Sequence, residues 1–208
     1  MPILYLDDSR RELSDADGCR FDPETRRWGA AGASPAGDSV SLPQAVGWLQ
    51  RKSGAACRVP IGVIGPREAD ADQLAAAEEV GAGLAVLGLT VLCGGREGVM
   101  EAVCRGVAAE GGLSIGLLPD DHWDSANSFV SVPLASGIGV ARNAVIARAA
   151  LCLIAIGGGQ GTLSEIAFGL QFGRPVFALA RAPQVAGVTK LPDWPAVEEA
   201  VCRVVLNL

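Results

Sequence analysis

From Val59 onward, short apolar runs of strand length alternate with longer amphipathic stretches, and the junctions between them are rich in glycine. That alternation is the βαβ signature of a mostly parallel sheet. Val59 to Ile64 reads as the first strand. Ala71 to Leu87 carries Leu74, Ala77, Val80, Leu84 and Leu87 at roughly helical spacing, which predicts a helix, and Leu89 to Cys93 is the next strand. A helix over Val99 to Glu110 follows, then strands at Leu113 to Leu117, Phe129 to Val132, Leu151 to Ile156 and Pro175 to Leu179. Further helices are expected over Ala141 to Ala150, Leu163 to Phe172 and Trp194 to Val204. The pattern predicts an α/β protein with a doubly wound, mostly parallel sheet over residues 57–208. Its ligand crevice should open at the strands' C-terminal ends.

Residues 1–56 read differently and are expected to form an appendage. Arg20 to Trp28 contains Asp22-Pro23-Glu24-Thr25, a turn between two short flanks, and predicts a small β-hairpin. Gly29 to Ser39 has linker composition. Ser41-Leu42-Pro43-Gln44 then offers a helix N-cap three residues before a Gln, with a short helix running to about Lys52.

Composition narrows the classes of function. Hydrophobic residues make up 50% of the 208 positions and charged ones 19%, with a formal net charge of −6. With no surplus of Lys and Arg, a large nucleic-acid footprint is not expected. Six scattered cysteines and the lone His122 give no metal-ligand cluster, so reduced thiols in a cytoplasm and no metal or resident cofactor are expected. The N-terminus turns acidic at Asp7, unlike a signal peptide. The longest apolar runs fall well short of the roughly 20 residues that span a bilayer, so no membrane partner is expected.

Three strand ends open into loops of glycine and small residues: Gly65-Pro66-Arg67, Gly94-Gly95-Arg96-Glu97-Gly98 and Gly157-Gly158-Gly159-Gln160-Gly161-Thr162. Glycine lets backbone N–H groups approach a ligand, and the helix that follows adds partial positive charge, so the rim favours an anion such as phosphate. Gly65, Arg67, Gly94, Gly95 and Gly98 are expected to touch the ligand from the first two loops. From the third, Gly158, Gly159, Gln160, Gly161 and Thr162 are expected to hold its phosphate.

The stretch from Gly157 to Glu165 resembles the Pro-Gly-Gly-x-Gly-Thr-x-x-Glu motif of the Lonely Guy family, Rossmann-like proteins once labelled lysine decarboxylases. Cys93 to Val103 is similar to that family's Gly-Gly-Gly-x-x-Gly-Leu-Met stretch, and Gly116-Leu117-Leu118-Pro119 to its Gly-Val-Ile-Pro. Order and spacing agree from about Arg58 to Pro175. The resemblance implies hydrolysis of the N-glycosidic bond of a nucleoside 5′-monophosphate to base and ribose 5-phosphate, with Arg142 and Glu165 catalytic. It also implies a homo-oligomer, dimer or tetramer. A carboxylate suits this chemistry, because it stabilises an oxocarbenium-like state and activates water.

Other readings stand beside these. Thr162-Leu163-Ser164-Glu165 is itself a capping box, in which Glu165 would close on the Thr162 backbone. Arg142, Arg67, Arg96 and Glu97 can be solvated side chains, His122 a plain surface residue, and Cys93 a small buried hydrophobe. Trp28 and Trp48 are expected to seal the appendage onto the main domain rather than to stack a base. The family pattern also breaks, with Gly157 for its leading Pro, Asn143 for the Lys after the catalytic Arg, and Gly65-Pro66-Arg67-Glu68 for a Gly-Ser-rich turn. These departures resemble a branch near the molybdenum-cofactor carrier proteins, which implies a carrier or sensor of a phosphorylated cofactor without turnover. The superfamily also contains the DNA-processing protein A fold, against which the acidic charge argues.

Overall fold

A computed structural model describes residues 2–32 and 34–208; Met1, and Ala33 within the expected linker, lie outside them. The chain forms two compact units. One holds the described residues up to Arg58 with Glu198–Leu208, the other Val59–Val197.

In the first unit, β1 (Leu4–Asp7), β2 (Glu12–Asp15), β3 (Phe21–Asp22), β4 (Arg27–Trp28), β5 (Asp38–Val40) and α1 (Leu42–Arg51) follow in order. An antiparallel sheet of order β2-β1-β5, which the apolar pattern did not announce, buries Leu4 and Leu13. β3 and β4 pair as the expected hairpin, and the Asp22 carboxylate holds its turn by accepting from the Glu24 amide and the Thr25 hydroxyl. α1 opens on the expected cap: the Ser41 hydroxyl accepts from the Gln44 amide, and the Gln44 side chain accepts from the Ser41 N–H at 2.8 Å.

The second unit contains β6 (Ile61–Ile64), α2 (Ala71–Leu87), β7 (Val91–Cys93), α3 (Val99–Ala109), β8 (Ser114–Leu118), β9 (Val132–Ala135), α4 (Arg142–Ala149), β10 (Leu153–Ile156), α5 (Gln160–Gln171), β11 (Val176–Leu179) and β12 (Thr189–Lys190), and α6 (Trp194–Leu206) starts within it. The seven strands are parallel and lie in the order β12-β11-β10-β6-β7-β8-β9. Every residue of β6, β7, β10 and β11 is buried, as strands covered on both faces require. The molecule is therefore an α/β, Rossmann-like fold with small antiparallel strands and a helix near its N-terminus.

Two expected elements are displaced, and β1, β2, β5 and β12 were not expected at all. The strand expected at Phe129 to Val132 lies at β9, because the Asn127 side chain accepts from the Phe129 amide and donates to the carbonyls of Gly95 and Arg96, which holds Phe129 in a turn. Pro133 fits β9 because β9 is an edge strand. α5 starts at Gln160 and not Leu163, so the glycine loop itself supplies the first turn of the helix. No helix of the described residues is long and apolar enough to cross a membrane.

Candidate functional site

The strand order reverses at β6, which lies between β10 and β7. Loops leaving these three strands therefore converge on one rim. A cavity of about 420 Å³ opens there. Its lining comes from Gly65, Pro66 and Arg67 after β6, Gly94 after β7, Val140, Arg142 and Asn143 around the start of α4, and Gly159, Gly161, Thr162 and Glu165 of the glycine loop and α5.

Gly159 is the N-cap of α5, and no side chain caps this helix. The first N–H groups of a helix have no partner within it, and they carry the positive end of its dipole. Thr162 falls inside the first turn, where it cannot serve as the N-cap of a capping box. Glu165 instead turns to α4: Arg142 Nη1 donates to its Oε1 at 2.9 Å, and both side chains are buried. Burial pushes the Glu165 carboxyl up from 4.5 to about 7, outweighing the opposing pull of the Arg142 charge.

A polar chain fixes the pair from the side. Arg142 Nη1 also donates to Asn143 Oδ1 at 2.7 Å, Asn143 Nδ2 to Ser164 Oγ at 2.9 Å, and Ser164 Oγ to the Gly161 carbonyl at 2.6 Å. Asn143 and Ser164 thus belong to the site. The sequence offered only the substitution after Arg142 as a hint of the first and nothing for the second. Gly94 lies so close to the Arg142 guanidinium that a Cβ there would collide with Nη2. Two buried polar atoms of this lining, Arg142 Nε and Thr162 Oγ1, have no hydrogen-bond partner among the described residues.

Gly95, Gly98, Gly158 and Gln160 lie in or beside these loops without lining the cavity. Gly95 takes φ 70° and packs on Gly116, with its amide donating to Cys93 Sγ at 3.3 Å. Gly98 is the N-cap of α3 and lies against the carbonyls of Pro66 and Arg67. Gly158 lies against Pro183, and Gln160 is exposed at the head of α5. Arg67 lines the cavity with a side chain 53% exposed, and its nearest carboxylate, Glu97, is 4.0 Å away. Arg96 donates instead to Asp120, whose carboxyl is held below its ordinary range first by the Ser125 hydroxyl and then by Arg96.

His122 is exposed and outside the lining. Cys93 is buried with its Sγ 3.6 Å from that of Cys104; that hydrogen bond and burial push its thiol well above the ordinary range, away from the reactive thiolate. Trp28 donates to the Leu206 carbonyl at 2.7 Å within the first unit, where Trp48 is also buried. No group of three His, Cys, Asp or Glu among the described residues is placed to hold a metal ion. The arrangement can do two things: take an anion on the helix N-terminus beside Arg142, and move a proton at Glu165 near neutral pH.

Known proteins are similar to this chain in sequence or in fold. An uncharacterized protein of Archaeoglobus fulgidus is 40% identical over 141 residues, 68% of this chain and 91% of the relative. The molybdenum cofactor carrier protein of Chlamydomonas reinhardtii is 31% identical, with a TM-score of 0.65 over 71% of this chain and 99% of that one. The molybdenum cofactor binding protein of Rippkaea orientalis is 32% identical, with a TM-score of 0.58 over 73% and 87% of the two chains. DNA processing protein A of Streptococcus pneumoniae, at 19% identity and a TM-score of 0.55, shares the fold alone. The glycine loops, the buried Arg142 and Glu165 and the strand order that joins them all fall within residues 58–199, the span matched by the SLOG cluster4 family, and the chain belongs to that family.

Proposed function

We propose that the crevice binds a small phosphorylated ligand, a nucleotide or a phosphorylated cofactor, with its phosphate on the N-terminus of α5 and beside Arg142. The observation that carries this is the pair of unpartnered buried atoms in the lining, Arg142 Nε and Thr162 Oγ1. Buried polar groups almost always have partners, and a phosphate oxygen would serve both. The likeness to a molybdenum cofactor binding protein and a carrier protein supports a ligand that is held and handed on, a phosphorylated pterin among the choices. No nucleic-acid partner is proposed for a chain of net charge −6.

One observation favours turnover as a second reading. A carboxyl that titrates at about 7 can hold or release a proton in the working range of an acid–base catalyst. In a phosphoribohydrolase Glu165 would take a proton from the attacking water and stabilise positive charge at the ribose C1′, while the base leaves with the glycosidic electron pair. Arg142 would hold the phosphate or steady Glu165. Asn143, standing where hydrolases carry Lys, removes a positive charge from this rim.

A panel of nucleoside monophosphates and inorganic phosphate separates the readings. Thermal stabilisation without base release is expected, and Thr162→Val should weaken binding roughly tenfold, about the worth of one hydrogen bond to a charged group. Base release lost in Glu165→Gln while binding persists would establish the hydrolase. If none of these compounds binds, the phosphate reading is wrong. We also propose that two copies of the chain associate through the apolar edge at β9.

A further inference from the structure

β11 and β12 are parallel neighbours, and such a connection normally uses a helix and a dozen or more residues. Here residues 180–188 make the crossover as turns without a helix. The space left beside the sheet is a cavity of about 350 Å³, large enough for a small-molecule site. Leu179, Val185 and Val188 give it apolar walls, and Arg181, Gln184 and Lys190 its polar groups.

This cavity adjoins the phosphate loop. The Gly157 amide donates to the Leu179 carbonyl at 3.2 Å. Pro183 lies so close to Gly158 that a Cβ there would be 2.6 Å from Pro183 Cδ. Cavity and loop therefore share a wall. The turn that builds it runs against backbone preference, since Ala180 and Arg181 adopt φ 47° and 63° without being glycine. Arg181 is anchored at the start of α2, by an ion pair to the N-cap Asp70 and by Asp72 at 3.8 Å. Consecutive left-handed residues persist only where their surroundings hold them, and such strain gathers at ligand clamps.

We infer that the cavity is the second half of the ligand site and takes a flat, polar-edged ring joined by a pyrophosphate to the group held in the crevice. This rests on the phosphate reading of the crevice. The N-terminus of α5 serves the first phosphate, and Lys190 brings a cation to the second, beside Arg181 in its ion pairs with Asp70 and Asp72. Gln184 offers both a donor and an acceptor to a ring edge. Ligands in the dinucleotide class meet these demands, and a mononucleotide leaves the cavity unused.

The test is calorimetric titration of the full chain with AMP, with diadenosine pyrophosphate and with inorganic phosphate. The dinucleotide should bind at least about tenfold more tightly than AMP, the gain expected from burying one ring. Ala186→Trp fills the cavity from an exposed lining position. It should abolish that advantage while AMP binding stays unchanged, which also shows that the variant is folded. Lys190→Glu should lower dinucleotide affinity alone. Equal affinities of the wild type for the two nucleotides, or an advantage that survives Ala186→Trp, would overturn the assignment and leave the crevice reading intact. Failure of AMP and phosphate alike to bind the wild type would overturn both.

Discussion

Glu165 holds its proton far more tightly in the fold than in an unfolded chain, with a folded value of about 7 against 4.5. Between these values the folded state carries more protons, so stability falls as pH rises from about 4.5 to about 7 and levels off above. The full difference amounts to about 3 kcal/mol. Urea unfolding of the wild type across this window should show the decline, and Glu165→Gln should lack that part of the slope. The variant should match the wild type at low pH, where Glu165 is protonated, and exceed it above about pH 7, where the wild type carries a buried carboxylate. An identical slope in the two proteins would contradict the assignment. The types of both residues were legible in the sequence. Their contact was not, since a guanidinium and a carboxylate separated by a strand and a glycine loop meet only once α4 and α5 pack side by side.

α2 and α3 approach closely enough to exclude side chains. A Cβ on Gly81 would meet the Val103 carbonyl, and one on Gly106 the Glu78 carbonyl. Gly106→Leu should therefore force the helices apart and cost about 1–3 kcal/mol, read as a lowered urea midpoint. The Glu78–Arg105 ion pair would be disturbed as well, although it is solvent-exposed and contributes little. At this scale the sequence was most informative where apolar residues were many. α2 and the buried strands followed from periodicity and runs of Val, Ile and Leu. β1, β2, β5 and β12 did not, because two to four residues of mixed polarity carry no period and depend on partners distant in sequence. β9 was displaced by the side-chain bonds of Asn127, and α5 began early because glycine loops and helix first turns share a composition.

At the scale of the molecule, several large apolar side chains in and after the edge strand β9 are exposed. Val132 and Leu134 on the edge strand β9, followed by Ile138, Val140 and Val145, are all exposed, Val140 to 84%. Edge strands are normally protected, and apolar patches of this kind are commonly covered by a partner. A second copy is the expected cover, and sedimentation should give a dimer at micromolar concentration. Val140→Asp and Leu134→Lys should shift it toward monomer, whereas a wild-type monomer would exclude this association. Since Val140 also lines the crevice, dimerisation would close one side of it, and ligand affinity should fall with dilution. The contact of Gly94 with the Arg142 guanidinium carries a different kind of consequence. The absent side chain of one is the mould of the other, so the two positions are expected to be inherited as a single character. A lineage that gives up the arginine loses its reason to keep the glycine, and one that first fills the glycine has already discarded the arginine's place.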